Sequence, residues 1–277
     1  MTVTACVIGW PIEHSRSPLV HGYWLTKYGI DGRYTKEAVS ADKLSDFVKA
    51  MAAEGYAGCN VTVPHKEAVL ALADHADDTA RAIGAANTLW FENGTLFATN
   101  TDTYGFMTHL DTSAPGWSDG LEAAAVLGAG GAARAVLKGL VDNGVGEIRL
   151  FNRTAARAEA LAERFGSAVV PAAWETRSDA LKDCGLLVNT TSLGMTGAPP
   201  LALDLGALGD GAVVADIVYA PLETALLAQA RARGLRAVDG LGMLLHQAVP
   251  GFHKWFGVEP AVTDELRAVI VADLEQA

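Results

Sequence analysis

The feature that most constrains this chain is a glycine-rich segment in its middle, residues 126–134, which reads VLGAGGAAR. An apolar run that passes through closely spaced glycines into an alanine-rich stretch is typical of a strand, a tight turn and a helix start. Gly128 allows the turn, Gly130 lets the backbone approach a ligand, and Ala133 lets helix and strand pack closely. Because the amides at such a helix N-terminus bind pyrophosphate, the segment predicts a dinucleotide-binding unit.

The end of the next predicted strand, 147–151, indicates which dinucleotide is bound. NAD-binding proteins usually place an acidic residue there, which binds the ribose hydroxyls. This chain has Asn152 and Arg153 at that point. A guanidinium favours a 2′-phosphate, so the sequence predicts NADP(H). A glycine turn used for shape alone is the simpler alternative for the first motif taken by itself.

Bulk composition excludes several classes of protein. The chain has 277 residues, enough for two domains, and a net charge of −11, which argues against a nucleic-acid surface. Three scattered cysteines form no CxxC motif, and the dispersed histidines predict no metal site. The N-terminus has no basic signal-peptide region, and no apolar run is long enough to span a membrane. We therefore expect a cytoplasmic protein.

Short apolar runs alternate with helical patterns along the chain, which predicts parallel α/β sheets. The predicted strands are 5–8, 34–38, 58–63, 123–127, 147–151, 186–189, 213–217 and 236–238, with helices at 41–53, 155–165 and 223–233. The pair Asn93-Gly94 predicts a hairpin of strands 87–91 and 95–98. The polar, turn-rich segment 111–120 indicates a domain boundary.

Polar side chains follow several of these strands. Ser15 and Ser17 precede Pro18, which fits the first turn of a helix. Ser17 as the N-cap explains one serine, whereas two serines two residues apart also fit a bound carboxylate. Lys66 lies in the first turn of a helix, an unfavourable place for a cation. A lysine there suits proton transfer or hydrogen bonding to a carbonyl oxygen, and an ordinary surface lysine is the alternative.

Two further clusters of residues can each be interpreted in two ways, as part of a site or as ordinary structure. The hairpin brings Asn87-Thr88 close to 100–102, where Asp102 either lines a site or caps the next helix. The glycines of segment 239–243 would let the backbone approach a flat ligand. Met243 then packs either on a nicotinamide or in the core, and Gln247 lies one turn further on.

Taken together, these motifs resemble those of the shikimate dehydrogenases. The matching segments run in the family's order along nearly the whole chain: 8–18, 60–66, 84–88, 100–102, 128–132, 152–154, 189–195, 216–221 and 239–247. The resemblance implies reversible NADPH-dependent reduction of 3-dehydroshikimate to shikimate, on the route to aromatic amino acids. It also implies two α/β domains with the active site in the cleft between them. The substrate-binding domain would comprise 1–104 and 240–277, and a Rossmann-like NADP-binding domain would comprise 105–239. Either a monomer or a homodimer is compatible with it.

The resemblance also implies roles for individual residues. Lys66 and Asp102 would be the catalytic pair. The substrate would be bound by Ser15, Ser17, Asn60, Thr62, Asn87, Tyr219 and Gln247. The cofactor would be bound by Asp78, Gly128, Ala129, Gly130, Gly131, Ala132, Asn152, Arg153, Thr154, Thr191, Ser192, Met195, Ile217, Gly240 and Met243. The chain departs from the family pattern at His65, Ala86 and Thr103-Tyr104, which we expect to lie near the pocket.

Two rival functions remain. A quinate or dual quinate/shikimate dehydrogenase using NAD is disfavoured by Arg153. A non-catalytic NADP(H)-binding sensor of the same fold would be expected to lose Lys66 or Asp102, and both are present.

Overall fold

The structure is a computed structural model that describes residues 2–276, and it divides into two compact units. The first comprises Met1–Asp102 and Leu245–Ala277, and the second comprises Thr103–Leu244. The resemblance described above implies these divisions at 104/105 and 239/240. The chain thus leaves the first unit once and returns to it.

Twelve strands form the two sheets. They are β1 Val3–Gly9, β2 Gly32–Ala38, β3 Tyr56–Val61, β4 His75–Ala76, β5 Thr88–Glu92, β6 Thr95–Thr99, β7 Ala123–Leu127, β8 Glu147–Phe151, β9 Val169–Ala172, β10 Cys184–Asn189, β11 Val213–Asp216 and β12 Arg236–Val238. The predicted strands all occur, whereas β4 and β9 were not predicted. Both are short, and β9 has one buried residue in four, so neither carries a clear apolar pattern.

The helices lie mostly between the strands. They are α1 Ser17–Lys27, α2 Leu44–Ala50, α3 Lys66–Leu70, α4 Asp78–Ile83, α5 Asp102–Ser113, α6 Gly131–Asp142, α7 Ala155–Phe165, α8 Ala225–Ala232, α9 Leu241–Phe256 and α10 Asp264–Leu274. The predicted helix 41–53 begins instead as a 3₁₀ turn, Ala41–Lys43, before α2. The two-unit α/β architecture expected from the sequence is confirmed.

The first unit contains a mixed sheet with strand order β2-β1-β3-β5-β6-β4. β5 runs antiparallel to both its neighbours, and the remaining pairs are parallel. The hairpin of β5 and β6 turns at Asn93 and Gly94, whose φ angles of 52° and 82° give the left-handed turn that this residue pair favours. As a result, the start of β5 and the end of β6 lie side by side, at the same end of these two paired strands.

The second unit contains a six-stranded sheet in the order β12-β11-β10-β7-β8-β9, and its strand pairs are all parallel. β7 is buried along its whole length, as expected for a central strand covered by helices on both faces. The strand order reverses at β7, which places the glycine loop after it at the switch point where α/β sheets bind ligands.

The expected boundary at 111–120 is wrong. This segment belongs to the second unit, where α5 ends and Ala114 and Trp117 join the buried cluster that includes Phe106 and Leu110. The Trp117 indole N–H donates to the Asp111 carboxylate over 2.6 Å. Segment 111–120 is therefore a turn held by the buried side chains of Ala114 and Trp117, with its polar residues exposed, and composition alone does not distinguish such a turn from a linker.

An aromatic cluster in the first unit surrounds a buried histidine. The His21 ring stacks on Tyr34, with centroids 4.0 Å apart, and Trp24, Phe252 and Trp255 lie around it. Burial lowers the pKa of His21 to about 3, so the ring is neutral in the folded protein at neutral pH. Phe252 and Trp255 lie on α9, so this cluster fastens the returning C-terminal segment to the first unit.

We expect His21 to make the protein sensitive to acid. In the unfolded chain its imidazole binds a proton near pH 6.5, whereas the folded protein binds that proton only near pH 3. Unfolding therefore becomes more favourable as the pH falls through this window, by roughly 3 kcal/mol at pH 4. Urea denaturation at pH 7, 5.5 and 4 measures this loss. His21→Phe should flatten the pH dependence and His14→Gln, at an exposed position, should not; equal slopes in wild type and His21→Phe would contradict the prediction.

Candidate active site

The serines at the start of α1 do not act as the sequence suggested. Ser17 is the first residue of the helix and Arg16 occupies the N-cap position without a side-chain cap, so the assignment of Ser17 as N-cap is wrong. The Ser15 hydroxyl instead accepts from the Ser17 backbone N–H over 3.3 Å. Ser17 is buried and Ser15 half-buried, and both lie at the dipole-positive end of an eleven-residue helix. This arrangement suits a carboxylate ligand.

Lys66 is the first residue of α3 and forms an ion pair with Asp102. Its ammonium nitrogen lies 2.6 Å from Asp102 Oδ2, and the two side chains are 28% and 11% exposed. The interpretation of Lys66 as an ordinary surface lysine is therefore wrong. A charge-assisted contact of this length fixes the ammonium direction while leaving it reachable from one side. The neighbouring His65 is buried, and its Nε2 lies 2.6 Å from the Val39 carbonyl, so it stabilises the β3–α3 turn.

Asp102 is held from its other side by the hairpin. The Asn87 side-chain amide donates to Asp102 Oδ1 over 2.8 Å, and the Asp102 backbone N–H donates to Asn100 Oδ1 over 3.0 Å. Asn100, which follows the hairpin, therefore accepts a hydrogen bond from a backbone N–H in the first turn of α5. Asp102 is itself the first residue of α5 and does not precede it as an N-cap would, and its two carboxylate oxygens accept from Asn87 and Lys66.

Asn87 lies at the centre of the polar groups in the first unit. Its Oδ1 accepts the Thr101 backbone N–H over 2.8 Å, and its Nδ2 lies 3.4 Å from Gln247 Oε1 on α9. Asn60, at the end of β3, donates to the Asn87 carbonyl over 3.3 Å. Of the residues predicted to contact the substrate, the structure thus brings together five: Asn60, Lys66, Asn87, Asp102 and Gln247. A sixth, Thr62, is half-buried and follows β3.

The glycine loop of the second unit has the shape required of a phosphate cradle. Gly128 has a φ of 102°, and a Cβ there would lie 2.8 Å from Thr190 Oγ1. At Gly130 and Gly131, in contrast, a Cβ would meet nothing within 4 Å. The space beside these two exposed glycines is open, and Gly130 is the N-cap of the twelve-residue helix α6. The loop therefore fits a pyrophosphate on the helix N-terminus.

The end of β8 presents the predicted 2′-phosphate residues beside that loop. Asn152 Oδ1 accepts from the Ala129 backbone N–H over 3.2 Å, and its Nδ2 donates to the Thr154 carbonyl over 2.8 Å. Asn152 therefore ties the two loops together, and Arg153 and Thr154 are left exposed. An exposed guanidinium beside the cradle fits the phosphate that distinguishes NADP from NAD.

A buried network fixes the loop after β10. Asn189 Oδ1 accepts from the backbone N–H and the hydroxyl of Thr191, over 3.1 and 2.7 Å, and Asn189 Nδ2 donates to Asp216. Burial raises the pKa of Asp216, which Thr224 also contacts. The Thr191 hydroxyl is thus engaged in the protein, whereas Ser192 and Met195 beyond it are exposed.

The glycines at the start of α9 have a packing explanation. A Cβ at Gly240 would lie 2.2 Å from the Ile217 carbonyl oxygen, and one at Gly242 would lie 1.9 Å from the His109 ring. Packing within the protein therefore requires glycine at both positions, whether or not a ligand lies beside them. Met243 is partly buried and packs against the core of the second unit, as expected if it is a core residue.

Two predicted residues belong to a different unit from the residues they were grouped with. Tyr219 is half-buried in the second unit, so it does not share a unit with the remaining predicted substrate ligands. The Asp78 carboxylate, in the first unit, is fully exposed and pairs with Arg81 over 3.3 Å. Tyr34, Thr88 and Asn189 were given no role by the sequence, although Thr88 lies next to Asn87 in a segment that it did single out.

No group of three or more His, Cys, Asp or Glu side chains is arranged to hold a metal ion within residues 2–276. Within the same range, none of the helices is both long enough and apolar enough to cross a membrane.

Comparison with known proteins identifies the family. Residues 7–89 match the family model for the shikimate dehydrogenase substrate binding domain, and residues 119–194 match that for shikimate / quinate 5-dehydrogenase. The shikimate dehydrogenase (NADP(+)) of Nitrobacter winogradskyi is 59% identical over 270 residues, covering 98% of this chain and 96% of the relative. The chain belongs to the shikimate dehydrogenase family. The same-named protein of Rhodopseudomonas palustris is 56% identical over 273 residues, covering 99% and 98%.

Solved structures of the family have the same fold. A shikimate 5-dehydrogenase from Thermus thermophilus, in complex with NADP(H) and shikimate, superimposes with a TM-score of 0.83 at 33% identity, covering 99% of each chain. Quinate dehydrogenase from Corynebacterium glutamicum, in complex with NAD, superimposes with a TM-score of 0.90 at 31% identity, covering 98% and 99%. Fold similarity alone therefore spans both substrates and both cofactors within this family.

Proposed function

We propose that this protein is an NADP-dependent shikimate dehydrogenase, which reversibly reduces 3-dehydroshikimate to shikimate in aromatic amino acid biosynthesis. The observation that carries the proposal is the ion pair of Lys66 with Asp102, held by Asn87 at the edge of the first unit's sheet. The curated relatives that are 56–59% identical over nearly the whole chain bear this activity in their names. A sensor without activity would have no need of a catalytic pair so fully held in place.

The first unit would bind the substrate. Ser15 and Ser17, at the N-terminus of α1, suit its carboxylate. Asn60, Thr62, Asn87 and Gln247 offer amide and hydroxyl groups for the ring hydroxyls, and Tyr219 of the second unit completes the proposed set. These assignments follow the family motifs, and the contacts that join Asn60, Asn87, Asp102 and Gln247 support them.

The chemistry requires one proton at the ring oxygen. Lys66 donates a hydrogen bond to the ketone oxygen and supplies the proton as negative charge develops there. Asp102 holds the ammonium through Oδ2 over 2.6 Å and accepts from the neighbouring substrate hydroxyl. Because Asn87 fixes the same carboxylate, the ammonium is held in one direction before substrate binds.

NADPH, when bound, supplies the hydride. We propose that Gly128, Ala129, Gly130, Gly131 and Ala132 bind its pyrophosphate at the start of α6. Asn152, Arg153 and Thr154 would hold the adenosine 2′-phosphate. The remaining proposed contacts are Asp78, Thr191, Ser192, Met195, Ile217, Gly240 and Met243. Exposed Met195 and half-buried Ile217 and Met243 offer apolar surface, whereas the exposed carboxylate of Asp78 is the member with the least structural support.

We further propose a cytoplasmic location and a monomer or homodimer. The three cysteines, Cys6, Cys59 and Cys184, are free thiols, as a reducing compartment requires. Sedimentation or light scattering of the purified protein decides between the two oligomeric states.

One assay tests the proposal directly. Absorbance at 340 nm follows the oxidation of shikimate or quinate by NADP⁺ or NAD⁺, in four combinations. We expect rapid turnover with shikimate and NADP⁺ and much slower turnover in the other three. The quinate dehydrogenase neighbour makes quinate with NAD⁺ the second candidate, and faster turnover of that pair would select it. Absence of turnover with all four combinations would support the non-catalytic sensor.

A further inference from the structure

A line of hydrogen bonds runs through the first unit from Tyr34 to Asp102. Tyr34 Oη donates to Asn60 Oδ1 over 2.6 Å, and Asn60 Nδ2 donates to Thr88 Oγ1 over 3.1 Å. The Thr88 hydroxyl donates to Asn87 Oδ1 over 3.0 Å, and Asn87 Nδ2 donates to Asp102 Oδ1 over 2.8 Å. We call this series the Tyr34–Asp102 chain.

Two backbone groups fix the direction of the chain. The Asn87 carbonyl can only accept, so the amide nitrogen of Asn60 must face it. The Thr101 N–H can only donate, so the amide oxygen of Asn87 must face it. With both amides oriented, Thr88 has to accept from Asn60. Its own hydroxyl proton goes either to Asn87 Oδ1 or to the Thr101 hydroxyl 3.4 Å away, which itself donates to Asn87 Oδ1. By either route the donors lead from Tyr34 toward Asp102.

The start of the chain is anchored beside α1. The Tyr34 ring stacks on His21 with an interplanar angle of 10°, which holds the phenol in place. Burial raises the pKa of Tyr34 well above its ordinary value. The phenol is consequently a permanent donor to Asn60 at any pH that the enzyme experiences.

The chain is shielded from water along its whole length. Counted over the whole residue, backbone included, the exposed fraction is at most 8% for each member: Tyr34, Asn60, Thr88, Asn87 and Asp102. A donor removed from such a place is not replaced by solvent. Without the Tyr34 hydroxyl, Asn60 Oδ1 loses a donor, and without the Thr88 hydroxyl, Asn87 Oδ1 keeps only the two donors of Thr101. Aligned hydrogen bonds also polarise one another in a low-dielectric interior. A change at one end is therefore transmitted to the carboxylate at the other.

We propose that Tyr34 and Thr88 are positioning residues that connect His21 of α1 to the Lys66–Asp102 pair. Neither touches the reacting atoms. Tyr34 fixes Asn60, a proposed ligand of the substrate, and Thr88 fixes Asn87 and through it Asp102. The kinetic part of this inference rests on the proposed function, and the orientation of the amides does not.

Removal of each hydroxyl tests the proposal, and the two removals should differ in kind. Tyr34→Phe should raise KM for shikimate about 3- to 10-fold with a smaller change in kcat, because it loosens Asn60, a proposed substrate ligand. Thr88→Val should lower kcat about 10-fold, because it loosens Asp102. Thr88→Ser, which keeps the hydroxyl, should restore kcat to within about 2-fold of wild type.

Matched controls remove a tyrosine hydroxyl and a threonine hydroxyl that lie outside the Tyr34–Asp102 chain. Tyr56→Phe deletes a phenol that contacts Glu37, and Thr99→Val deletes the hydroxyl of the residue opposite Thr88 in the β5–β6 ladder. Both controls should keep wild-type kcat and KM. In the double variant Tyr34→Phe/Thr88→Val, kcat/KM should fall by less than the product of the single effects, since both cut one chain.

Side-chain amide NMR signals provide a test that does not depend on turnover. Thr88→Val and Tyr34→Phe should both shift the Asn87 amide resonances, although Tyr34 bonds to Asn60 and not to Asn87, and the controls should leave them in place. If wild type fails to oxidise shikimate, the proposed function fails, while the NMR result still decides whether the chain exists. Unshifted Asn87 resonances, multiplicative kinetic effects, or a Thr88→Ser variant as slow as Thr88→Val would each overturn the inference.

Discussion

Replacement of Lys66 by alanine lowers kcat for shikimate oxidation by about 10²- to 10⁴-fold, the range for loss of a general acid–base group. The reason is geometric: the ammonium is held 2.6 Å from Asp102 and has no neighbouring lysine to take its place in α3. We expect KM for shikimate to change less, because the serine and amide ligands remain. Steady-state kinetics with NADP⁺ at saturation give both constants.

Lys49→Ala is the matched control, since Lys49 is an exposed lysine of the same unit, on α2. It should retain wild-type kcat. Near-normal turnover of Lys66→Ala would remove Lys66 from the mechanism.

Replacement of Arg153 by alanine raises KM for NADP⁺ by about 10-fold or more and leaves KM for NAD⁺ nearly unchanged. An exposed guanidinium at the end of β8 can pair with a 2′-phosphate, and hydrogen bonds to charged groups contribute about 1.5–3 kcal/mol. The ribose hydroxyl of NAD⁺ offers no such charge. The ratio of kcat/KM for the two cofactors is the quantity to measure.

Arg164→Ala, at the far end of α7, controls for the loss of one positive charge from the second unit. Its cofactor ratio should match that of wild type. Equal effects of Arg153→Ala on both cofactors would show that the residue does not contact the 2′-phosphate.

The secondary structure was largely predictable because its signals are local. Strands β7, β8 and β12 begin and end where the sequence placed them, and Asn93-Gly94 closes the hairpin as its turn preference required. The short strands β4 and β9 were missed, since a few residues beside larger neighbours carry no periodic signal.

The polar site was predictable as a set of residues but not as a set of contacts. The motifs named Asn60, Lys66, Asn87 and Asp102, yet the same side chains were equally explained as caps and surface groups. Which explanation holds depends on which atoms meet across the fold: Lys66 and Asp102 are 36 positions apart and share one contact. Sequence spacing sets no distance between residues on different elements.

The sequence by itself determined the α/β class, the glycine cradle, the Arg153 signal for NADP and the family, because each is written in local patterns or in the order of motifs. Only the tertiary structure decided that Gly240 and Gly242 make room for Ile217 and His109, that segment 111–120 is packed and not a linker, and that Tyr34 and Thr88 belong to one directed hydrogen-bond chain. The physical reason is that packing and hydrogen-bond direction depend on atoms brought together from distant parts of the chain, and each such atom has several possible partners until the fold selects one.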